Sequence, residues 1–300
     1  MIQLNHVSKS FNNEEAVKKI TLSVNKGSIY GLLGSNGAGK TTLLKMMAGI
    51  YRPNEGEVII EEQRIYENTT LKEKVIFIPD TLYFLPHASV EQMASYYRRI
   101  YPNWNEERYL HLQQIFGIER KQKIHSLSKG MQRQVAFWLS LSSMPLVLLL
   151  DEPIDGLDPV MRREIKNLLF QDVADRGLTI IISSHNLHEI EDLCDHVGIM
   201  HKGKLIVEKE LDDLKAVTHK IQVAFRNKED EEKIQQKANI LYHERRGSIS
   251  LFIVRGEQED VASNFSTFQP LVMDLLPLTL EELFIYELGD HGYEIKNILL

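Results

Sequence analysis

Cysteine is almost absent from this sequence: Cys194 is the single one in 300 residues, so the chain cannot form an internal disulfide bond. A lone thiol suits the reducing conditions of the cytosol. No apolar run approaches the roughly 18 residues that a helix needs to cross a bilayer. The opening residues, MIQLNHVSKSF, lack the basic and then apolar pattern of a signal peptide. We therefore expect a soluble, cytoplasmic protein.

An excess of basic residues is also missing. The chain carries 35 lysines and arginines against 42 aspartates and glutamates, which gives a net charge of -7. This balance lacks the positive footprint of proteins that bind DNA or RNA, so we expect no nucleic-acid partner. The length of 300 residues is enough for one large domain and a smaller one.

A phosphate-binding loop is present near the N-terminus. Residues 34–41, GSNGAGKT, match the pattern G-x-x-x-x-G-K-[ST] without a mismatch, between a strand-like and a helix-like run. In such a loop successive N–H groups converge on phosphate oxygens, and the helix N-terminus adds partial positive charge. This pattern places Lys40 on the β and γ phosphates of a nucleotide and the Thr41 hydroxyl on Mg²⁺. A glycine-rich turn with a chance lysine is the alternative, which the strand and helix on either side disfavour. We assign these residues to the phosphate site: Gly34, Ser35, Asn36, Gly37, Ala38, Gly39, Lys40, Thr41 and Thr42.

Two carboxylates follow an apolar run at residues 146–152, LVLLLDE. A fully buried parallel strand has this composition, and it delivers the acids to the carboxyl edge of a sheet, where α/β proteins bind ligands. Two acids there are costly without a cation or hydrogen bonds. Asp151 is placed to hold Mg²⁺, and Glu152 to orient and deprotonate a water aimed at the γ phosphate. For this segment alone, a solvated Asp-Glu turn is the alternative.

A third segment, LSKGM at residues 127–131, lies between these two sites and precedes a helical run. By itself the segment is typical of a helix start, since a serine hydroxyl accepts hydrogen bonds from free backbone N–H groups. Its position between a phosphate loop and an acidic strand end indicates a further role.

Five segments together resemble one family. GSNGAGKTT, LSKGMQRQ, LLLDEP, GLDP and ISSH, in this order between residues 34 and 185, resemble the nucleotide-binding subunits of ATP-binding cassette (ABC) transporters. The phosphate loop alone would also suit GTPases, kinases and helicases. The resemblance implies an α/β fold: a P-loop NTPase core with a mostly parallel sheet, an antiparallel N-terminal β subdomain and a helical subdomain at about residues 81–145. We expect this cassette to span residues 1–215 and a small α+β accessory domain to span residues 216–300.

The resemblance also implies roles for single residues. Ser128 and Gly130 match the signature motif, which contacts the γ phosphate of the ATP held by the other protomer. Asp158 matches the loop that links the two sites of the dimer, and His185 matches the switch histidine that touches the γ phosphate. Phe11 matches the aromatic residue that stacks on adenine, although a phenylalanine in a strand-rich segment is also a common core residue.

The sequence departs from the family pattern in a few places. Asp80 stands where a glutamine is common, and its carboxylate can still ligate Mg²⁺ or position water. Ile154 replaces a usual threonine, and Lys129 and Met131 replace a glycine and a glutamine of the signature motif. The changes at residues 129, 131 and 154 remove no group that carries chemistry, whereas the negative charge of Asp80 would interact differently with ATP.

The expected helical subdomain is rich in aromatic residues. These side chains suit either a stacking platform for bases or the core and partner contacts of the subdomain, which we favour. The resemblance implies that this subdomain receives a coupling helix from a membrane partner. The aromatic residues in question are Tyr96, Tyr97, Tyr101 and Trp104.

The last part of the chain predicts strands at KIQVAF and SISLFIVR and a charged helix at residues 228–238. Its ending, PLTLEELFIYELG, resembles the closing helix of ABC-2-type subunits. NGAGKTT and YPNWNEER resemble the same, mostly exporting, branch, and in particular bacterial subunits for drug, bacteriocin or antimicrobial peptide efflux.

The resemblance therefore implies an ATPase subunit that binds two ATP molecules with Mg²⁺ at a dimer interface, in a homodimer or a heterodimer with a related subunit. Such a subunit lies on the inner face of the cell membrane and powers export of a peptide, antibiotic or other amphipathic compound through a separate integral membrane permease. Two alternatives are a soluble ABC ATPase that acts on ribosomes or DNA, and an importer subunit. The first usually has two cassettes or a coiled coil, and the second usually has a longer C-terminal domain.

Overall fold

The computed structural model describes residues 1–154 and 156–283. The chain divides into two units, Met1–Glu208 and a second that begins at Lys209. This division lies a few residues before the boundary that the sequence predicts. Within the described residues, no helix combines the length and the apolar character that crossing a membrane requires.

Strands and helices alternate along the first unit. In chain order they are β1 (Ile2–Phe11), β2 (Glu14–Val24), β3 (Ile29–Leu33), α1 (Lys40–Met47), β4 (Glu55–Ile60), β5 (Gln63–Arg64), α2 (Thr69–Lys72), β6 (Val75–Ile78), α3 (Val90–Ile100), α4 (Glu106–Phe116), α5 (Lys129–Ser142), β7 (Val147–Asp151), α6 (Pro159–Arg176), β8 (Thr179–Ser184), α7 (Leu187–Glu191), β9 (His196–His201) and β10 (Lys204–Glu210).

A six-stranded sheet positions the candidate site. Its order is β10-β9-β3-β8-β7-β6, and the pairs β9/β3, β3/β8, β8/β7 and β7/β6 are parallel. Strands β3, β7 and β8 are buried at every residue, as expected for parallel strands covered on both faces. The carboxyl ends of β3, β6, β7 and β8 therefore lie at one edge of the sheet, where such folds bind ligands.

A second, antiparallel sheet has the order β2-β1-β4-β5. Helix α1 shares one hydrophobic core with both sheets: Leu4 of β1, Leu44 of α1 and Leu149 of β7 are all fully buried members of it. This packing fixes the start of α1, and with it the phosphate loop, between the two sheets. The antiparallel β subdomain and the mostly parallel sheet both match the expected fold class.

Helices α3, α4 and α5 and a 3₁₀ turn at Ile124–Ser126 form the helical subdomain. Trp138 of α5 is fully buried, stacks on Tyr109 of α4 with ring centroids 4.9 Å apart, and donates a hydrogen bond from Nε1 to the Tyr109 carbonyl at 2.8 Å. Trp104 also packs on Tyr109, and Tyr97 contacts Tyr101 at 5.3 Å. These pairs favour a packing role for Tyr97, Tyr101 and Trp104, whereas Tyr96 is exposed.

The described part of the second unit contains a four-stranded sheet and helices that alternate with its strands. They are α8 (Leu211–Val217), β11 (Thr218–Ala224), α9 (Lys228–Lys237), β12 (Asn239–Arg246), β13 (Ile249–Arg255), α10 (Gln258–Ser266) and β14 (Val272–Leu276).

The sheet of the second unit is antiparallel with the order β12-β13-β11-β14. From β11 onward this is the βαββαβ arrangement of ferredoxin-like domains. The predicted strands at KIQVAF and SISLFIVR and the charged helix are confirmed, whereas β12, α10 and β14 were not expected. In the segment PLTLEELFIYELG, Leu280 and Leu283 are buried, and the part of it from residue 284 lies outside the described residues.

Glu231 of α9 connects this helix to β12 and β13. Its buried carboxylate accepts a hydrogen bond from the Ser250 hydroxyl, lies 2.8 Å from His243 Nε2 and pairs with Arg245 at 3.1 Å. Burial by itself raises the pKa of Glu231, but the hydrogen bonds from Ser250 and His243 and the charge of Arg245 outweigh it, so the pKa lies below its ordinary value.

Candidate nucleotide-binding site

The phosphate loop joins β3 to α1, as the sequence predicts. Gly39 is the N-cap of α1 with φ 105°, a conformation that favours glycine. A Cβ at this position would also meet the carbonyl oxygen of Ala16. Lys40 begins the helix, and its buried ammonium donates a hydrogen bond to the Gly34 carbonyl at 2.5 Å. The loop therefore closes around the lysine, and its shape is set by contacts within the protein.

A cleft of about 260 Å³ opens between this loop and the acidic strand end. Most of the predicted phosphate-site residues line it, together with the three predicted carboxylates and one alanine from β2. Its lining residues are Ala16, Ser35, Asn36, Gly37, Ala38, Gly39, Lys40, Thr41, Thr42, Asp80, Asp151 and Glu152.

Asp151, at the end of β7, lies beside Thr41 of α1. Its Oδ2 accepts a hydrogen bond from Thr41 Oγ1 at 2.8 Å, and its Oδ1 accepts one from Ser183 Oγ at 2.5 Å. The side chain is almost fully buried. Two hydroxyl groups therefore hold a buried carboxylate in one orientation, which offsets part of the cost of burying its charge.

The residues beside this carboxylate fit Mg²⁺. A carboxylate and a hydroxyl oxygen are hard ligands, which Mg²⁺ prefers, and it commonly takes one or two of them plus phosphate oxygens and water. Among residues 1–154 and 156–283, no group of three or more His, Cys, Asp and Glu side chains could hold a metal ion. A metal at Thr41 and Asp151 would therefore depend on ligands from a bound nucleotide.

Glu152 lies between a cation and a histidine. Its Oε1 is 3.5 Å from Lys40 Nζ, and its Oε2 is 2.9 Å from His185 Nδ1. The backbone of Glu152 adopts a left-handed φ of 47°, which is uncommon for a residue other than glycine. The side chain is 14% exposed, against 49% for His185. The structure thus brings together the three residues to which the sequence assigns catalysis.

Asp80 follows β6 and lines the same cleft. It also borders a neighbouring cleft with Lys129, Gln132, Arg133 and Gly156. The Asp80 carboxylate therefore lies between the phosphate loop and the start of α5, at the junction that the sequence predicts for it.

The signature residues lie outside the phosphate cleft of their own chain. Ser128 is exposed and caps α5, where its hydroxyl accepts a hydrogen bond from the Met131 N–H at 3.2 Å. Asp158 caps α6 and accepts hydrogen bonds from the N–H groups of Val160 and Met161. Neither residue lines the cleft, and Gly130 does not line it either.

Phe11 ends β1 and is 41% exposed. Its ring packs against Tyr51 with centroids 5.4 Å apart, and Lys9 Nζ lies 5.3 Å from it. Phe11 belongs to the same β1–β2 hairpin as Ala16, which lines the phosphate cleft. An exposed aromatic ring on this hairpin is consistent with the predicted base contact.

Sequence reasoning missed three contributors to the site. Ser183 lies in the ISSH segment, where the histidine alone was assigned a role, and its contact with Asp151 requires knowledge of how β7 and β8 pair. Arg133 is the one cation in the buried part of α5, residues 133–142. It contacts the Asp80 and Glu152 loops. Ala16 lines the cleft, and its carbonyl oxygen lies beside Gly39; the sequence carries no signal for this position.

Comparisons with known proteins agree with this geometry. A family model described as ABC transporter matches residues 17–155. The ABC transporter ATP-binding protein YtrB of Bacillus subtilis (strain 168) is 32% identical over 289 residues, which cover 96% of this chain and 98% of that protein. The bacitracin transport ATP-binding protein BcrA of Bacillus licheniformis is 33% identical over 218 residues, which cover 72% of this chain and 71% of that protein.

A solved structure of an ATP-binding subunit of an ABC transporter is also similar. It matches with a TM-score of 0.67 and 25% identity, over 72% of this chain and 92% of that chain. The similarity to YtrB extends over nearly the whole of both chains, and so it includes the second unit.

Proposed function

The chain belongs to the ABC transporter family as an ATP-hydrolysing subunit, and from this premise we propose that two copies of it enclose two ATP molecules and drive a separate integral membrane permease. The observation that supports this proposal most strongly is the location of the signature residues. One chain contains a phosphate cleft with the proposed catalytic carboxylate, and also a signature segment (residues 127–131) that lies outside that cleft and exposes Ser128 and Lys129. Two copies arranged head to tail therefore suffice for two complete sites.

The phosphate loop and Lys40 would bind the β and γ phosphates of ATP. The N–H groups of the loop and the first turn of α1 supply partial positive charge, and Lys40 supplies a full one. Mg²⁺ held by Thr41 and Asp151 would neutralise phosphate charge. These groups stabilise the charge that develops on the phosphates during transfer.

Glu152 would act on the water. In this structure the carboxylate shares an ion pair with Lys40 at 3.5 Å. A γ phosphate is a stronger partner for this ammonium, so nucleotide binding would weaken the pair and free Glu152 Oε1 to orient and deprotonate the attacking water. His185, at 2.9 Å from Oε2, would hold the carboxylate in place and face the γ phosphate.

We propose export of a peptide antibiotic or another amphipathic compound, with the subunit held on the cytoplasmic face of the membrane by its permease. The similarity to BcrA, whose name specifies bacitracin transport, supports this class of cargo. That similarity covers 72% of the chain, and the membrane subunit contacts the cargo in this family. The soluble-ATPase and importer alternatives have less support.

Replacing the catalytic carboxylate tests the assignment. We expect Glu152→Gln to bind ATP with unchanged affinity and to hydrolyse it about 10²- to 10⁴-fold more slowly, the usual scale for loss of a general base. Fluorescent-ATP titration and phosphate release measure the two properties. Glu107→Gln, an exposed position on α4, is the matched control and should retain full turnover. Unchanged hydrolysis in Glu152→Gln would refute the assignment.

A further inference from the structure

Arg133 is a buried cation that the catalytic assignment leaves unused. It lies in α5, two residues after the signature segment, with 7% of its surface exposed. Its guanidinium donates hydrogen bonds from Nη1 to the Glu152 carbonyl, and from Nη2 to the Asp80 carbonyl at 2.8 Å and to Asp80 Oδ1 at 3.2 Å. A buried charge needs such partners, and here the partners are the two loops that border the phosphate cleft.

These two loops are neighbours in the sheet. Asp80 follows β6, Glu152 follows β7, and the two strands form a parallel pair. A guanidinium is planar and presents its N–H groups in a fixed fork, so its contacts with both loops define one spacing between them. A lysine ammonium reaching the same place can satisfy one of the loops but has no fixed fork.

The backbone of Glu152 is the part that most needs support. Its left-handed φ of 47° persists only where surrounding contacts over-determine it. Its N–H donates to the Ser183 carbonyl at 3.1 Å, and its carbonyl accepts from Arg133. Both backbone polar groups of Glu152 are therefore held from outside the loop, the N–H by β8 and the carbonyl by α5.

Helix α5 touches the same stretch of chain a second time. A Cβ at Gly130 would lie 2.5 Å from the Gly156 carbonyl oxygen. The backbone of the first turn of α5 therefore lies directly against the backbone of the segment after Glu152. The Arg133 and Gly130 contacts together connect the start of α5, which carries Ser128, to the loop that carries the catalytic carboxylate.

We propose that Arg133 is a positioning residue for ATP hydrolysis, which holds the Asp80 and Glu152 loops at a set spacing and orientation against α5. It acts through Glu152 and touches neither nucleotide nor water. The inference rests on the proposed catalytic role of Glu152. It predicts that loss of the guanidinium lowers turnover while the phosphate loop, whose contacts are separate, still binds ATP.

The test compares Arg133→Lys and Arg133→Gln with the wild-type full-length chain. We expect kcat to fall roughly 10- to 100-fold in both variants, the scale for a misplacement of about 1 Å in a catalytic group. The KM for ATP and the affinity for fluorescent ATP should stay at their wild-type values, as expected when an interaction that matters for the chemical step is lost.

Arg176 provides a matched control for stability. It is a half-buried arginine of α6 that likewise joins a backbone carbonyl, that of Pro145, to a carboxylate, Asp172, and it does not line the phosphate cleft. Arg176→Lys and Arg176→Gln should lower the melting temperature as much as the Arg133 variants do and leave kcat unchanged.

Two results would overturn the inference: wild-type kcat in a folded Arg133→Lys and Arg133→Gln, or an equal fall of kcat in the Arg176 variants. Failure of the proposed function is distinguishable, because Glu152→Gln would then hydrolyse ATP as fast as the wild type. If only the inference about Arg133 is wrong, Glu152→Gln still hydrolyses ATP slowly, while the Arg133 variants hydrolyse it at the wild-type rate.

Discussion

At the scale of single residues, the two carboxylates that follow one another at the end of β7 interact with separate sets of side chains. Lys40 pairs with Glu152, and Glu152 contacts His185, while Asp151 is held separately by Thr41 and Ser183. The two adjacent acids thus have different partners, as the different roles that we propose for them require. One is fixed by two hydroxyl groups, as a metal ligand should be, and the other contacts groups that a bound phosphate would engage.

The Thr41 hydroxyl gives a prediction about Mg²⁺. Thr41→Val keeps the shape of the side chain but removes the oxygen that lies 2.8 Å from Asp151. We expect the Mg²⁺ concentration for half-maximal ATP hydrolysis to rise roughly tenfold or more, the lower end of the effect of losing a partner at a metal site. Thr41→Ser retains the hydroxyl and should behave like the wild type. An unchanged Mg²⁺ dependence in Thr41→Val would contradict a metal at this position.

Much of the site could be predicted at the residue scale because its groups follow strand ends. The phosphate loop, Glu152 and His185 come directly after strands and Asp151 ends one, and parallel strands bring such positions to one edge. Ser183 and Arg133 could not be predicted in the same way. Their contacts join residues far apart in the chain, and they depend on strand order and on how α5 is rotated about its axis.

At the scale of elements, the buried strands were the easiest to predict, since β3 and the first four residues of β7 form short runs with no charged residue. In the second unit, β11 and β13 supply most of the core and were expected, whereas β12 and β14 were not. β12 has no fully buried residue, and β14 has none either. Their residues mix charged and apolar types without a clear period of two, so the pairing partners decide their conformation.

Glu231 gives a prediction for the second unit. Because its pKa is lowered in the fold, the folded state binds a proton less readily than the unfolded state does. Its contribution to stability is therefore present above pH 4.5, its ordinary value, and is lost as the pH falls through the lower folded value. We expect Glu231→Gln to cost about 1.5–3 kcal/mol at pH 7, as for a buried charged hydrogen bond, and the difference from wild type to shrink in acid.

Hydrogen exchange of the β13 amides at pH 7 and in acid, corrected for the intrinsic rate at each pH, measures this effect. Glu244→Gln is the control, since Glu244 of β12 also pairs with an arginine but lies at the surface; it should leave β13 protection unchanged. Equal protection of wild type and Glu231→Gln at pH 7, or a difference that grows in acid, would count against the role of Glu231.

At the scale of the whole molecule, one chain carries both kinds of nucleotide-contacting segment that we propose for the assembled site. The phosphate cleft and the signature segment occur in one chain, but the signature residues do not line the cleft, which is why we propose that the complete site includes a second cassette. The similarity to BcrA covers 72% of this chain, and the similarity to YtrB covers 96% of it and so includes the second unit. The family resemblance predicts that the phosphate cleft and the signature segment of one chain belong to different sites. The structure adds which side chains surround each of these two regions.

The most direct measurement is the sedimentation of Glu152→Gln with ATP and Mg²⁺, since trapped ATP should hold two copies together. We predict a shift from monomer to dimer on adding the nucleotide. Adding Ser128→Asp to this variant keeps a good helix cap but places a negative charge against the partner's γ phosphate, so this double variant should bind ATP and remain a monomer. ATP-loaded Glu152→Gln that sediments as a monomer at high protein concentration, or a Ser128→Asp double variant that still dimerises, would contradict the account.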